Sequence, residues 1–453
     1  LDLRSAIASL RGALAILVLL PLAGCPLAPP PAEDDPLDAK LAPLLAEHEV
    51  SAITKPTTNA AKVALGRALF FDKLLSGNEN ISCATCHSPL TFTADGLSLS
   101  KGQGGVGLGQ FRAAPLDEEG DPILIPRNAT DVFNRAGMTV MFWDGRVRSH
   151  ADGTFDSPAG AMLPEGADNA LAVQALFPVT SRDEMRGAPG ENEVADMADD
   201  DFPAIWSALM ARLLEIEEYR ALFAAAYPDV PEGALGFVHA GNAIAAFEVE
   251  HWTFDDSPFD SYLRGDRSAM SDAAKRGATL FFGTARCADC HTGPLLTDEK
   301  FHNRCVPQVG PGKGDGPDGT WDFGRLRVTG DPADQFRFRT PPLRNVAVTG
   351  PWMHDGAYTT LEAAVRHELN PRSGGAAYDP IALTDEMSRV FRGEQMVDIV
   401  AVATQEDTQT VSLSDAEVAD LVAFLEALTS PSVADMAIRD VPERVPSGLP
   451  LAD

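Results

Sequence analysis

Three features of the sequence predict a mainly α-helical protein. Apolar residues recur at helical spacing over Lys62–Phe71 and again over Ala274–Phe282. Those stretches contain the related hexapeptides Gly66-Arg67-Ala68-Leu69-Phe70-Phe71 and Gly277-Ala278-Thr279-Leu280-Phe281-Phe282, so one unit occurs twice in tandem. Strand signals are sparse. The composition agrees: 453 residues predict about two or three domains, and 45% apolar residues suffice for buried cores. A net charge of −30, from 36 Lys+Arg and 66 Asp+Glu, argues against nucleic acid, whose phosphates need a basic surface. It fits a surface that attracts cationic partners.

The N-terminus reads as a processing signal. Arg4 and Arg11 form a basic region, and Gly12–Gly24 is apolar but short and interrupted by Pro21. It ends in Leu22-Ala23-Gly24-Cys25, which resembles the bacterial lipobox. The signal (1–25) would be cut before Cys25, which would then be lipidated and tethered to a membrane. An ordinary signal peptide is the alternative. No later stretch is long enough for a membrane span. Residues 26–45, Pro- and Asp-rich at the start, read as a flexible stalk. Two domains at 46–262 and 263–430 and a tail at 431–453 complete the predicted organisation. The expected location is the periplasm.

Each hexapeptide leads into a C-x-x-C-H motif, Cys83-Ala84-Thr85-Cys86-His87 and Cys287-Ala288-Asp289-Cys290-His291. Two thiols at this spacing add across the vinyl groups of one porphyrin, and the adjacent histidine becomes the proximal iron ligand. A zinc ribbon would not need a histidine after each pair. A thioredoxin-type dithiol wants a βαβ context, and a disulfide explains neither histidine. Two covalent haem c groups are therefore expected, each in a cytochrome c-like domain. Ser412-Leu413-Ser414-Asp415 opens an amphipathic helix at Ala416–Leu428, capped by serine or aspartate, that resembles the closing helix of such a domain. Phe202–Tyr227 and Ala234–Trp252 read as further amphipathic helices. Gly102–Gly109 and Gly310–Gly319 are Gly-rich loops, without the strand-loop-helix context that phosphate binding needs.

Several separated motifs resemble the bacterial di-haem cytochrome c peroxidase and MauG family, over roughly residues 50–430. They are Pro126-Arg127-Asn128-Ala129, Phe142-Trp143-Asp144-Gly145-Arg146, Gln174 through Pro178 to Glu184-Met185, and Arg339-Thr340-Pro341-Pro342-Leu343-Arg344-Asn345-Val346, continuing to Thr349-Gly350-Pro351-Trp352-Met353-His354-Asp355-Gly356. The resemblance implies a peroxidatic first haem and a second haem that relays electrons to it. It implies a relay position between them for Trp143, an acid/base role for Glu184 and a pocket role for Gln174. It also implies a calcium held by Asn128 and by the backbone oxygens of Thr349 and Pro351. His354 follows as a pocket residue near the second haem, without assignment to iron. Hydrogen peroxide is the implied substrate, a small cytochrome c or cupredoxin the donor, and a homodimer a possible assembly. A MauG-like oxidase of a protein substrate and a non-catalytic di-haem electron carrier are the alternatives.

Two departures from the family pattern stand out. Many members carry a histidine in the loop after the first motif, yet Ser88–Arg127 contains none, which predicts an open or water-occupied distal side on the first haem. The family's methionine or tyrosine ligand of the second haem aligns with Glu368, while ligand chemistry favours the neighbouring His367. His367 is the expected ligand and Glu368 the alternative. Cys305 is left over, and burial is its expected role.

Overall fold

In the computed structural model, which describes residues 35–451 except 119, helix Ala60–Phe71 starts where the side-chain oxygen of Asn59 accepts the N–H groups of Ala61 and Lys62. It crosses helix Phe237–Trp252 at Gly66, where a Cβ would lie 1.8 Å from the carbonyl oxygen of Ala243. The second unit repeats the device. Helix Asp272–Phe281, capped by Ser271, crosses helix Asp415–Glu426 at Gly277, where a Cβ would lie 1.8 Å from the carbonyl oxygen of Asp420. Asp415–Glu426 opens with a capping box between Ser414 and Glu417. It closes the second unit as Phe237–Trp252 closes the first. The stretch read as one helix, Phe202–Tyr227, is two: Phe202–Glu215 and Glu217–Ala226, parted by extended backbone at Ile216.

Each helix pair organises a core. Leu65, Leu69, Phe70, Phe247 and Trp252 belong to the first, and Ala278, Phe281, Leu421 and Phe424 to the second. Packing changes over between Phe254, in the first core, and Phe259 and Tyr262, in the second. That is a few residues before the boundary expected at 262.

The expected stalk is in part ordered. Pro36–Glu47, half of the expected stalk, is a helix whose Leu41 and Leu45 are buried in the second core. Asp38 accepts from Tyr262 Oη at 2.8 Å and pairs with Lys275 at 2.9 Å. The leucine spacing overrides the Pro and Asp content of this segment. The signal, Cys25 and the first part of the stalk lie outside the described residues. The tail packs as well: Val433, Met436 and Val445 enter the first core. The carboxylate of Asp440 accepts from Trp252 Nε1 at 2.9 Å and pairs with His251 at 2.7 Å. Each end of the chain thus packs on the far unit, and from Pro36 onward the molecule is one body. No single helix among the described residues is long and apolar enough to cross a membrane.

Each unit also has one small sheet. Val140–Met141, Val147–Ser149 and Phe155–Asp156 form an antiparallel meander, with Met141 opposite Val147 and Arg148 opposite Asp156. Its first turn is Phe142-Trp143-Asp144-Gly145-Arg146, with Phe142 and Gly145 both at positive φ. Phe301–His302 pairs with Phe338–Arg339 to make the second sheet.

Candidate haem centres

The two attachment motifs share one backbone design. The His87 N–H donates to Cys83 O at 2.9 Å, and the His291 N–H donates to Cys287 O at 2.9 Å. This places each histidine at the end of a single turn that carries both thiols. His87 Nδ1 meets the carbonyl of Thr93 at 3.1 Å, and His291 Nδ1 meets that of Leu296 at 2.9 Å. A carbonyl can only accept, so Nδ1 carries the proton in both rings and Nε2 keeps its lone pair for a metal. The four thiols are half-buried and unpaired. Burial pushes Cys83, Cys86 and Cys287 up to about 12.

In the second unit Cys287, Cys290 and His291 line a largely apolar cavity of about 250 Å³ with Phe281, Leu343 and Leu425. Two thiols, an oriented imidazole and apolar walls in one cavity fit a covalent haem. Cys290 also gathers with Asp298 and His302 in a group spaced for a metal, but thioether attachment would take its sulfur, so this cluster belongs to the haem site. The structure separates the two candidates for the distal ligand. His367, expected as the ligand, is 2% exposed, with Nε2 2.8 Å from Arg304 O and Nδ1 2.7 Å from Tyr358 Oη. Its ring is built into the wall. Glu368 is the one of the pair that lines the cavity. Adjacent helix positions point about 100° apart, so one faces in and the other out.

At the first centre, Glu184 sits half-buried in the turn Arg182–Arg186, which follows the Ser181 cap. Burial pushes its carboxyl above the ordinary glutamate range, opposed by the charges of Arg146 and Lys313. Glu184 lies within electrostatic reach of Cys86, together with Asp95 and Arg112. Gln174 ends the short helix Ala170–Gln174, and the turn Pro178–Thr180 separates it from Glu184.

Trp143 stands where the units meet. Its neighbour Phe142 packs against the first core, while Trp143 lines the second cavity. Nε1 of Trp143 donates to Asn128 O at 3.1 Å, and Arg339 N donates to Trp143 O at 2.8 Å. Arg127 pairs with Asp144 at 2.7 Å and with Asp322 at 2.6 Å, all three buried. Its charge helps hold the Asp322 carboxyl down at about 2 against burial. His354 also lines the second cavity and stacks on Phe338, ring centroids 3.5 Å apart.

Of the expected calcium residues, Asn128 donates to the carbonyls of Leu97 and Ser98 at 2.9 and 3.2 Å. Leu97 and Ser98 wall a separate cavity with Pro351, apart from the one that holds Cys287 and His291. The Thr349 hydroxyl donates to Val346 O at 3.2 Å. Cys305 is fully buried with Phe336, Met396 and Ile399, and burial pushes its thiol up to about 11.

Sequence reasoning missed Arg304, Asp322, Phe338 and Lys313. Arg304 and Phe338 lie in no motif, while Asp322 and Lys313 lie in or just after the Gly-rich loop; their partners are hundreds or tens of residues distant.

Residues 60–268 match the family described as di-haem cytochrome c peroxidase. The methylamine utilization protein MauG of Methylorubrum extorquens is 32% identical over 370 residues, covering 81% of this chain and 78% of that protein. The cytochrome c551 peroxidase of Pseudomonas aeruginosa is 31% identical over 310 residues, covering 68% and 72%. Among solved structures, a MauG-like protein associated with microbial copper homeostasis superposes with a TM-score of 0.58 at 27% identity, covering 88% of this chain and 97% of that one.

Proposed function

Because the chain belongs to the di-haem cytochrome c peroxidase and MauG family, an oxidoreductase family carrying two haem c groups, we propose that it reduces hydrogen peroxide to water with electrons from a small redox protein. Cys83, Cys86 and His87 would hold the peroxidatic haem, and Cys287, Cys290 and His291 the electron-transfer haem. Haem supplies the oxidising and electron-carrying chemistry when bound; the chain supplies placement and proton handling. The observation that carries this reading is the half-buried Glu184 carboxyl at the first centre, pushed upward by burial. Such a group can take a proton from bound peroxide and return it to the departing oxygen, which is general base followed by general acid catalysis. Gln174 would line the same pocket. Trp143, gripped at both its ring nitrogen and its backbone, would carry electrons between the units.

Every histidine other than the two proximal ones is engaged elsewhere. His48 contacts Phe282 O, His150 pairs with Asp156 and His251 with Asp440, His239 contacts Gly236, and His302, His354 and His367 lie in or behind the second cavity. This supports a first haem with no histidine on its distal side. An exported, periplasmic location with a lipid anchor at Cys25, a calcium near Asn128, Thr349 and Pro351, and a homodimer belong to the same proposal.

The second reading is a MauG-like oxidase of a protein substrate, since relatives at 32% identity include MauG as well as a cytochrome c peroxidase. Steady-state turnover of peroxide with a donor cytochrome separates the two. The peroxidase reading expects rapid turnover that Glu184→Gln lowers by roughly 10²–10⁴-fold. Slow turnover unaffected by Glu184→Gln overturns it.

A further inference from the structure

The second cavity contains a carboxylate that the proximal histidine does not account for. Glu368, near the end of helix Leu361–Leu369, lines the cavity with Cys287, Cys290 and His291. Its side chain keeps 37% of its surface accessible. Arg304 grips it twice: Nε donates to Glu368 Oε2 at 2.7 Å, and Nη2 donates to Glu368 O at 2.8 Å. Arg304 is itself anchored through Nη1 to Asp407 O and through its own carbonyl to His367 Nε2 at 2.8 Å. Guanidinium, carboxylate and the helix end therefore form one rigid assembly.

Glu406 and Met353 also line this cavity, and the histidines on its wall are held by neighbours. His302 has Nδ1 2.9 Å from Asp407 and Nε2 3.5 Å from both Asp298 and Cys290 Sγ. His354 is stacked face to face on Phe338. Met353, at positive φ, packs with Trp352 and Tyr358 at the edge of this cavity, which it also lines. The nitrogens of His367 are both used inside the wall.

We propose that Glu368 is the distal protein ligand of the second haem, with Arg304 as the positioning residue that aims its carboxylate. The inference rests on the di-haem reading above. It gives this haem histidine and carboxylate ligation, a departure from the methionine or tyrosine of the family pattern. A hard, anionic oxygen favours ferric over ferrous iron, whereas methionine ligation raises the potential. The second haem should therefore sit low in potential, and Arg304, by sharing the carboxylate's charge, should limit how low.

The test uses the full-length protein carrying two covalent haems per chain, with electron paramagnetic resonance, optical spectra and a potentiometric titration of each haem. In the unaltered protein the second haem is expected to lack thioether and bis-histidine signatures. A thioether signature would point to Met353, a bis-histidine signature to His302 or His354, and either overturns the proposal whether or not any variant folds. Glu368→Gln should change the ferric spectrum of the second haem, Glu368→Met should raise its potential, and both should leave the first haem unmoved. Arg304→Lys should shift the same potential by less. Two haems with spectra and potentials indifferent to Glu368 also overturn it, whereas a chain without two covalent haems sinks the family reading instead.

Discussion

Glu184 and Glu248 are both carboxyls raised by burial, and their surroundings give them different consequences. Glu184 is half-buried beside Arg146 and Lys313. In the proposed role of base it must be ionised, so activity should fall as pH drops through its pKa. Because that pKa lies above the ordinary 4.5, the acid limb of the peroxide pH–rate profile should lie above 4.5 and disappear in Glu184→Gln. Glu248 is 4% exposed, its Oε2 has no hydrogen-bond partner, and burial, opposed by Arg135, pushes it up to about 8. Between pH 4.5 and 8 the folded chain therefore holds a proton that the unfolded chain releases, so stability falls as pH rises across that window. Glu248→Gln should flatten this slope and, measured against its own effect at pH 5, stabilise the haem-loaded protein at pH 8 by up to about 4 kcal/mol. Urea unfolding at pH 5 and pH 8 measures both effects.

At the level of elements, the glycine crossings set the spacing of the two helix pairs. A Cβ at Gly66 or Gly277 would collide with a backbone carbonyl, which cannot rotate away as a side chain can. Gly277→Ala should cost about 3 kcal/mol or more, at or beyond the top of the usual overpacking range, and lower the denaturation midpoint without changing the haem content of the first unit. The Phe142–Arg146 turn works differently. Its hairpin has Phe142 on the first core and Trp143 on the second cavity, and Gly145 lets Phe301 approach where a Cβ would come within 2.3 Å of Cζ. The motif is thus a joint between units, and Arg127, Asp144, Asp322 and Arg339 hold it in place.

For the whole molecule, exchange of the chain ends and net charge are the dominant features. The helix Pro36–Glu47 packs on the second core and Val433–Val445 on the first. His48 O accepts from Gly293 N at 3.0 Å and from Thr292 Oγ1 at 2.7 Å, next to the second attachment motif. The units are in this way held together beyond their direct contacts. The charge of −30 should steer a cationic donor. Its second-order rate constant is expected to fall on the order of tenfold or more from low salt to physiological ionic strength. Stopped-flow oxidation of a basic donor cytochrome across a salt series checks this, and a flat profile would point to an uncharged docking face.

The local sequence alone determined the attachment motifs, the repeated leading helix and the capped helix near the C-terminus, because spacing, capping and covalent chemistry act over a few residues. Phe142–Arg146 and Glu184 were different: resemblance to a family picked them out, since nothing in their own spacing or chemistry marks them. The choice between His367 and Glu368 belonged to the tertiary structure: both sit on one helix, and only the placement of Arg304, from a distant part of the chain, and of Tyr358, from the preceding loop, shows which side chain the wall absorbs. The stalk assignment failed for the same reason, and the packing of the tail was unreadable on the same ground. Pro and Asp content describes a segment's own preferences, whereas Leu41, Leu45 and Asp440 take their positions from surfaces that exist only once the other unit has folded.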